Sequence, residues 1–141
     1  MTLPEVSIAA AAILIVMQMG LMLSVGMHRA SSKIGVGFAE DEHLHRKIRR
    51  HGNLAENAAL FLVALALAEI SGADRFYIGL LAAVFLIART SHAIGFSSMS
   101  GSHSPNGSVI FPALRIVGAF GTIGSGVGVA ILLAAQFAGG S

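Results

Sequence analysis

The chain reads as an all-α integral membrane protein, a bundle of four transmembrane helices. Two observations predict this. Hydrophobic residues make up 55% of the 141 positions and charged residues only 11%, whereas a soluble domain averages roughly 25% charged; the mean hydropathy is +0.78. The apolar residues are also gathered into four runs that approach or exceed the ~20 residues needed to cross ~30 Å of hydrocarbon. The length suits a single membrane domain over residues 1–141, and neither an internal repeat nor a second domain is evident.

The first run spans about Val6 to Met27 (6–27) and ends at His28-Arg29. No basic segment precedes it and its only early charge is Glu5, so an uncleaved span is expected rather than a signal peptide. The second covers about Asn53 to Ile70 (53–70). A Ser71-Gly72-Ala73-Asp74 turn follows, in which Asp74 is suited to N-cap the third helix. The third covers about Arg75 to Phe96 (75–96), and Ser97 to Ser108 is a polar loop by its Ser, Gly, Pro and Asn content. The fourth covers about Val109 to Phe137 (109–137), with Pro112 tolerated in its first turn. Within it Gly118, Thr122, Gly126 and Ala130 recur every four residues, and Gly124 and Gly128 form a second small stripe. Small residues at this spacing let membrane helices approach closely, within or between subunits.

Orientation follows from the loop cations. Arg29, Lys33, Arg46, Lys47, Arg49 and Arg50 lie between spans one and two, against Arg75 alone on the other side. The first loop is therefore expected to be cytoplasmic and both termini outside. The sequence pI near 9.7 comes mostly from that loop and reports topology rather than nucleic-acid binding. The chain has no cysteine, which excludes a disulfide, a thiolate metal site and a cysteine nucleophile of its own.

Charges inside apolar spans are costly and are read as functional by default. The segment HRKIRRHGNLAEN places Arg46, Arg49, Asn53 and Glu56 at spacings of three, four and three, which is one helix face. Arg89, His92 and Phe96 share a face of span three, and Arg115 stands near the cytoplasmic start of span four. Glu56 can neutralise one arginine, leaving a cationic surplus that needs an anion or solvent. An anionic ligand in a crevice open to the cytoplasm meets that need, and the planar guanidinium fork suits a carboxylate. The competing reading makes Glu56–Arg89 an interhelical brace and Arg46 to Arg50 a flank touching lipid phosphates. Glu69 is expected to pair with Arg75 at the outer interface. His43 and His45, beside Glu40, Asp41 and Glu42, lack a third well-spaced ligand and read as a solvated face rather than a metal site. His28, His51 and His103 are expected at the interface.

The pattern resembles the MAPEG family, the membrane-associated proteins in eicosanoid and glutathione metabolism, of the bacterial microsomal glutathione S-transferase-like type. The residues carrying the resemblance are Arg46, Arg49, His51, Asn53 and Glu56, then Arg89 and His92 in ARTSHAIGF, then Arg115 in ALRIVG. The resemblance covers nearly the whole chain. It implies a homotrimer in a bacterial inner membrane, with glutathione as co-substrate bound between subunits near the cytoplasmic face. The implied site is Arg49, Asn53, Glu56, Arg89, His92 and Arg115. Arg49 and Arg89 would hold the glutathione carboxylates, Glu56 its amino group and Asn53 its backbone amides, with Arg115 as the catalytic partner of the thiolate. A lipophilic second substrate would arrive from the membrane, and the activity implied is that of a glutathione transferase or peroxidase. Two positions depart from the pattern. Phe96 stands where many members carry Tyr, removing a hydroxyl that could contact glutathione, and Gly52 stands where some have a further Arg. The alternative is a non-catalytic lipid-binding or scaffold subunit of the same fold.

Overall fold

The computed structural model describes residues 3–98 and 109–139, and among these every regular element is an α-helix. They are α1 (Glu5–Ser32), α2 (Glu42–Ile70), α3 (Arg75–Gly95) and α4 (Ile110–Gly139). All four are long and apolar enough to cross a membrane. Beyond Ser98 the expected polar loop to Ser108, and His103 within it, lie outside the described residues.

α2 begins at Glu42 rather than near Asn53, so the helix face expected across Arg46, Arg49, Asn53 and Glu56 belongs to one continuous helix with the second span. The reason is Asp41, whose carboxylate accepts a hydrogen bond from Leu44 N–H at 2.9 Å and so caps the helix. At 1.5 Å per residue the 29 residues of α2 reach about 43 Å, well beyond ~30 Å of hydrocarbon. The helix is therefore long enough to cross the membrane core with several turns to spare, and Arg46 to Arg50 lie toward its N-terminal end. α1 exceeds its expected span in the same way and ends in a left-handed cap at Lys33, φ 57°.

The α2–α3 connection is a Schellman turn. Ala73 N–H donates to Ala68 O and Gly72 N–H to Glu69 O, with Gly72 at φ 87°. Asp74 then accepts from Phe76 N–H at 2.8 Å and caps α3. Pro112 sits in the first turn of α4, where its missing N–H deprives the helix of nothing.

The other expected contact on this side is corrected. Glu69 accepts hydrogen bonds from Val6 N–H and Ser7 N–H, each 2.9 Å, and from the Ser7 hydroxyl at 2.7 Å. It caps α1, which has Pro4 at its N-cap and no capping side chain of its own. A carboxylate on free N–H groups at the positive end of a helix is favourable. Arg75 pairs instead with Glu5 at 2.7 Å.

The bundle interior is narrow. Leu14 of α1, Leu54, Phe61 and Leu65 of α2, Ile78 and Phe85 of α3 and Val129 of α4 form its core. The Phe61 and Phe85 rings stack at 3.7 Å between centroids. Many large side chains, such as Ile8, Leu60, Ile87 and Phe120, point outward. That is the pattern of a bundle solvated by lipid, in which close packing and hydrogen bonds rather than water exclusion hold helices together.

The α3–α4 seam is the closest approach, and it is made by glycines. A Cβ on Gly118 would stand 2.6 Å from His92 Cβ and 2.8 Å from Ala88 O; one on Gly121 would stand 2.8 Å from Ala88 Cβ. Gly128 faces Leu81 in the same way. The four-residue stripe is thus only partly a packing surface. Gly118 packs, whereas a Cβ on Gly124 or Gly126 would meet nothing within 4 Å.

Candidate functional site

Arg89 is the centre of the polar cluster. It is 3% exposed, because the face carrying Phe85 and Arg89 is turned into the bundle. Its Nη1 donates to Asn53 Oδ1 at 2.5 Å and its Nη2 to Gly118 O at 3.1 Å. One guanidinium therefore ties α3 to α2 and α4 at once. The Gly118 carbonyl also accepts from Thr122 Oγ1 at 2.7 Å, and Asn57 Nδ2 donates to Asn53 O at 2.7 Å. Arg89 Nε is buried and has no acceptor.

The interhelical brace is therefore Arg89–Asn53, not Arg89–Glu56. Glu56 is exposed, and among the described residues it has no ion-pair partner. It lines, with Asn57 and Thr122, one end of a cleft of about 400 Å³ between α2, α3 and α4. The remaining wall is apolar and includes Leu60, Phe61, Phe85, Val129 and Leu133.

One helical turn beyond Arg89, His92 and Arg115 face a second cleft of about 230 Å³, shared with Pro112, Ile116 and Ala119. The Arg115 guanidinium lies 4.3 Å from the centroid of the Phe96 ring, and the His92 and Phe96 rings are 4.7 Å apart. The two clefts follow one stripe of α4. Pro112, Arg115, Ala119, Thr122, Gly126, Ala130 and Leu133 succeed each other at three or four residues and line one or the other. A cationic end thus leads along a single helix face into an apolar end.

Of the six expected site residues, Asn53 and Arg89 are in direct contact, His92 and Arg115 share a cleft, and Glu56 lines the neighbouring one. Arg49 is exposed on α2 and among the described residues forms no ion pair. Arg46 and Arg50, outside the expected site, are half-buried, with Arg46 Nε and Nη1 and Arg50 Nε lacking acceptors.

Two polar contacts on α1 were not expected from the sequence. Gln18 Nε2 and His51 Nε2 are 2.7 Å apart, joining α1 to α2. The signal was available, since Gln18 is a polar residue inside an apolar span. His28 Nε2 lies 2.8 Å from Asp41 Oδ2, joining the end of α1 to the cap of α2. The Asp41 carboxyl is held below the usual carboxylate range, first by the Leu44 N–H and then by His28. His45 stacks on Phe38 at 4.4 Å and His43 Nδ1 meets Arg46 at 3.3 Å.

The sequence profile of the MAPEG family matches residues 7–135, from the first turn of α1 almost to the end of α4. The chain belongs to the MAPEG family. No curated protein matches it. MAPEG membership agrees with the four apolar helices and associates this membrane bundle with glutathione-related and eicosanoid metabolism. In this MAPEG chain Asn53 of α2, Arg89 of α3 and the Gly118 carbonyl of α4 come together where the three helices meet.

Proposed function

We propose that this protein is a glutathione-dependent transferase or peroxidase for lipophilic electrophiles, working as a homotrimer in a bacterial inner membrane. In this reading the basic end of α2 faces the cytoplasm, both termini lie outside, and glutathione binds near the cytoplasmic face. The observation that carries it is the α4 stripe, which runs from Arg115 and His92 into the apolar cleft beside Glu56. A polar thiol and a greasy acceptor need such a junction.

The donor set suits glutathione. Glutathione offers two carboxylates and one ammonium group, and the cluster offers several guanidinium groups and one carboxylate, Glu56, without an ion-pair partner among the described residues. Arg89 Nε is a buried donor with no acceptor. Arg49 and Arg89 take the carboxylates, Glu56 the amino group and Asn53 an amide of the backbone, with His92 lining the site.

Arg115 supplies the chemistry. A free thiol with pKa ~8.5 is only a few per cent thiolate at neutral pH, and an adjacent guanidinium lowers that value. A shift of about two units corresponds to roughly 2.7 kcal/mol of preference for the thiolate. The sulfur then bonds to an electrophilic carbon and the electron pair leaves with the departing group, or it attacks the terminal oxygen of a hydroperoxide and breaks the O–O bond, giving an alkoxide that is protonated to the alcohol and a glutathione sulfenic acid that a second glutathione converts to the disulfide and water.

Calorimetry of glutathione binding to the purified protein in detergent, for wild type and Arg49→Ala, tests the reading. Saturable binding lost in the variant is expected. No binding at millimolar glutathione overturns it. That result would favour a non-catalytic lipid-binding or scaffold subunit, a reading supported by the way Arg89 already commits both terminal nitrogens to Asn53 and Gly118.

A further inference from the structure

In the sequence Phe96 reads as the loss of a hydroxyl. In the fold its ring contacts two groups of the candidate site, with the Arg115 guanidinium 4.3 Å from its centroid and the His92 ring 4.7 Å away. Guanidinium over an aromatic face is attractive, more so where water is excluded. Beside it, Gly95 is buried, and a Cβ there would stand 2.6 Å from Arg115 Cγ and 2.9 Å from both Arg115 N and Phe111 O. The backbone of α4 can reach α3 at this point only because residue 95 has no side chain. Gly95 thus leaves room for the stem of Arg115, and Phe96 covers its head.

We infer that Phe96, seated by Gly95, is a positioning residue that holds the Arg115 guanidinium in one orientation at the cleft shared with His92. Its purpose, to keep that charge aimed at a substrate thiolate, rests on the function proposed above; the seat itself does not. A flexible arginine samples many rotamers, and each one that points away removes charge from the reacting atom. A flat ring on one side and a glycine under the stem reduce that freedom without consuming the hydrogen-bond donors, which lie in the guanidinium plane.

The test uses the full chain purified in detergent and treated with phenylglyoxal, which modifies accessible guanidinium groups. Adduct at Arg115 is read by mass spectrometry relative to Arg75, which is 76% exposed. Phe96→Leu is expected to raise the Arg115:Arg75 ratio about tenfold, the factor that 1.4 kcal/mol represents, and Phe96→Trp to leave it at the wild-type value. Phe96→Met retains apolar bulk without a ring, and carries the same comparison if the leucine variant does not fold. Equal ratios in the ringless variants and wild type overturn the seat.

A second readout addresses its purpose. The ultraviolet absorbance of bound glutathione thiolate is titrated with pH. Phe96→Leu is expected to raise the thiol pKa with little change in Kd, and Phe96→Trp to restore it. An unchanged pKa in Phe96→Leu overturns the positioning role. Failure of wild type to bind glutathione overturns the proposed function instead, and the phenylglyoxal comparison still decides the seat.

Discussion

Arg89 on α3 reaches Asn53 on α2 with a 2.5 Å hydrogen bond across 36 residues of sequence, while its other terminal nitrogen holds the Gly118 carbonyl of α4. A buried cation left without its acceptor is costly, more so than a surface charge. Asn53→Leu is therefore expected to destabilise the bundle by about 2–3 kcal/mol, read from unfolding in mixed micelles. Asn53→Asp, which keeps an acceptor, should fall well short of that. Equal losses in the two variants would count against the contact as the brace.

The seam between α3 and α4 predicts opposite outcomes for two glycines in one stripe. Gly118→Ala places a methyl 2.6 Å from His92 Cβ and against the Ala88 carbonyl, so the helices must part and the Arg89 contact with them. Gly126→Ala meets nothing within 4 Å and gains up to about 1 kcal/mol of helix propensity. The melting temperature should fall for the first and hold or rise for the second. A fall for both would mean that residue 126 is covered by something outside this chain.

At the opposite end, Glu69 and Arg75 separate a tertiary cap from a surface pair. Glu69→Ala strands the Val6 and Ser7 N–H groups and is expected to cost about 1–2 kcal/mol, with faster proteolysis at the start of α1. Arg75→Ala removes only the Glu5 pair, whose side chains are 76% and 63% exposed, and should cost under ~1 kcal/mol. Comparable losses would sink the assignment of Glu69 as the cap.

Acid should loosen the α1–α2 connection before it melts the spans. Asp41 has its folded-state pKa depressed by Leu44 N–H and His28, so the stability it contributes is present above the unfolded value of about 3.9. That contribution is lost as pH falls through the lower, folded value. The protection of the Leu44 amide against hydrogen exchange, the intrinsic rate at the same pH divided by the observed rate, should fall across that window in wild type and stay level in Asp41→Asn. Protection that does not change with pH in wild type would contradict the cap.

For the proposed chemistry, Arg115→Ala should lower turnover with glutathione at neutral pH by about 25-fold, because the two-unit thiol shift assigned to it takes the thiolate fraction from a few per cent to about three quarters. Assembly in detergent should change little. Parallel loss of turnover and assembly would make Arg115 a structural residue instead.

Hydropathy sufficed to read four spans from the amino-acid order, because it is a sum over neighbours in sequence. Spacing sufficed to put Arg89 and His92 on one face of α3, with Phe96 just past its end and Asp74 at its start, because helix periodicity and capping are local. Partners were a different matter. Asn53 and Glu56 stand one turn apart on the same face of α2, so which of them Arg89 meets depends on the axial register at which α2 docks against α3. Glu69 lies 62 residues from Ser7, so no local rule links it to α1 rather than to nearby Arg75. Phe96 reads as a missing hydroxyl in the sequence and as the surface under Arg115 in the fold. The amino-acid order determined which residues are polar in an apolar setting; only the docking of the helices decided what each one touches, because in lipid that docking is set by close glycine contacts and buried hydrogen bonds rather than by hydrophobicity.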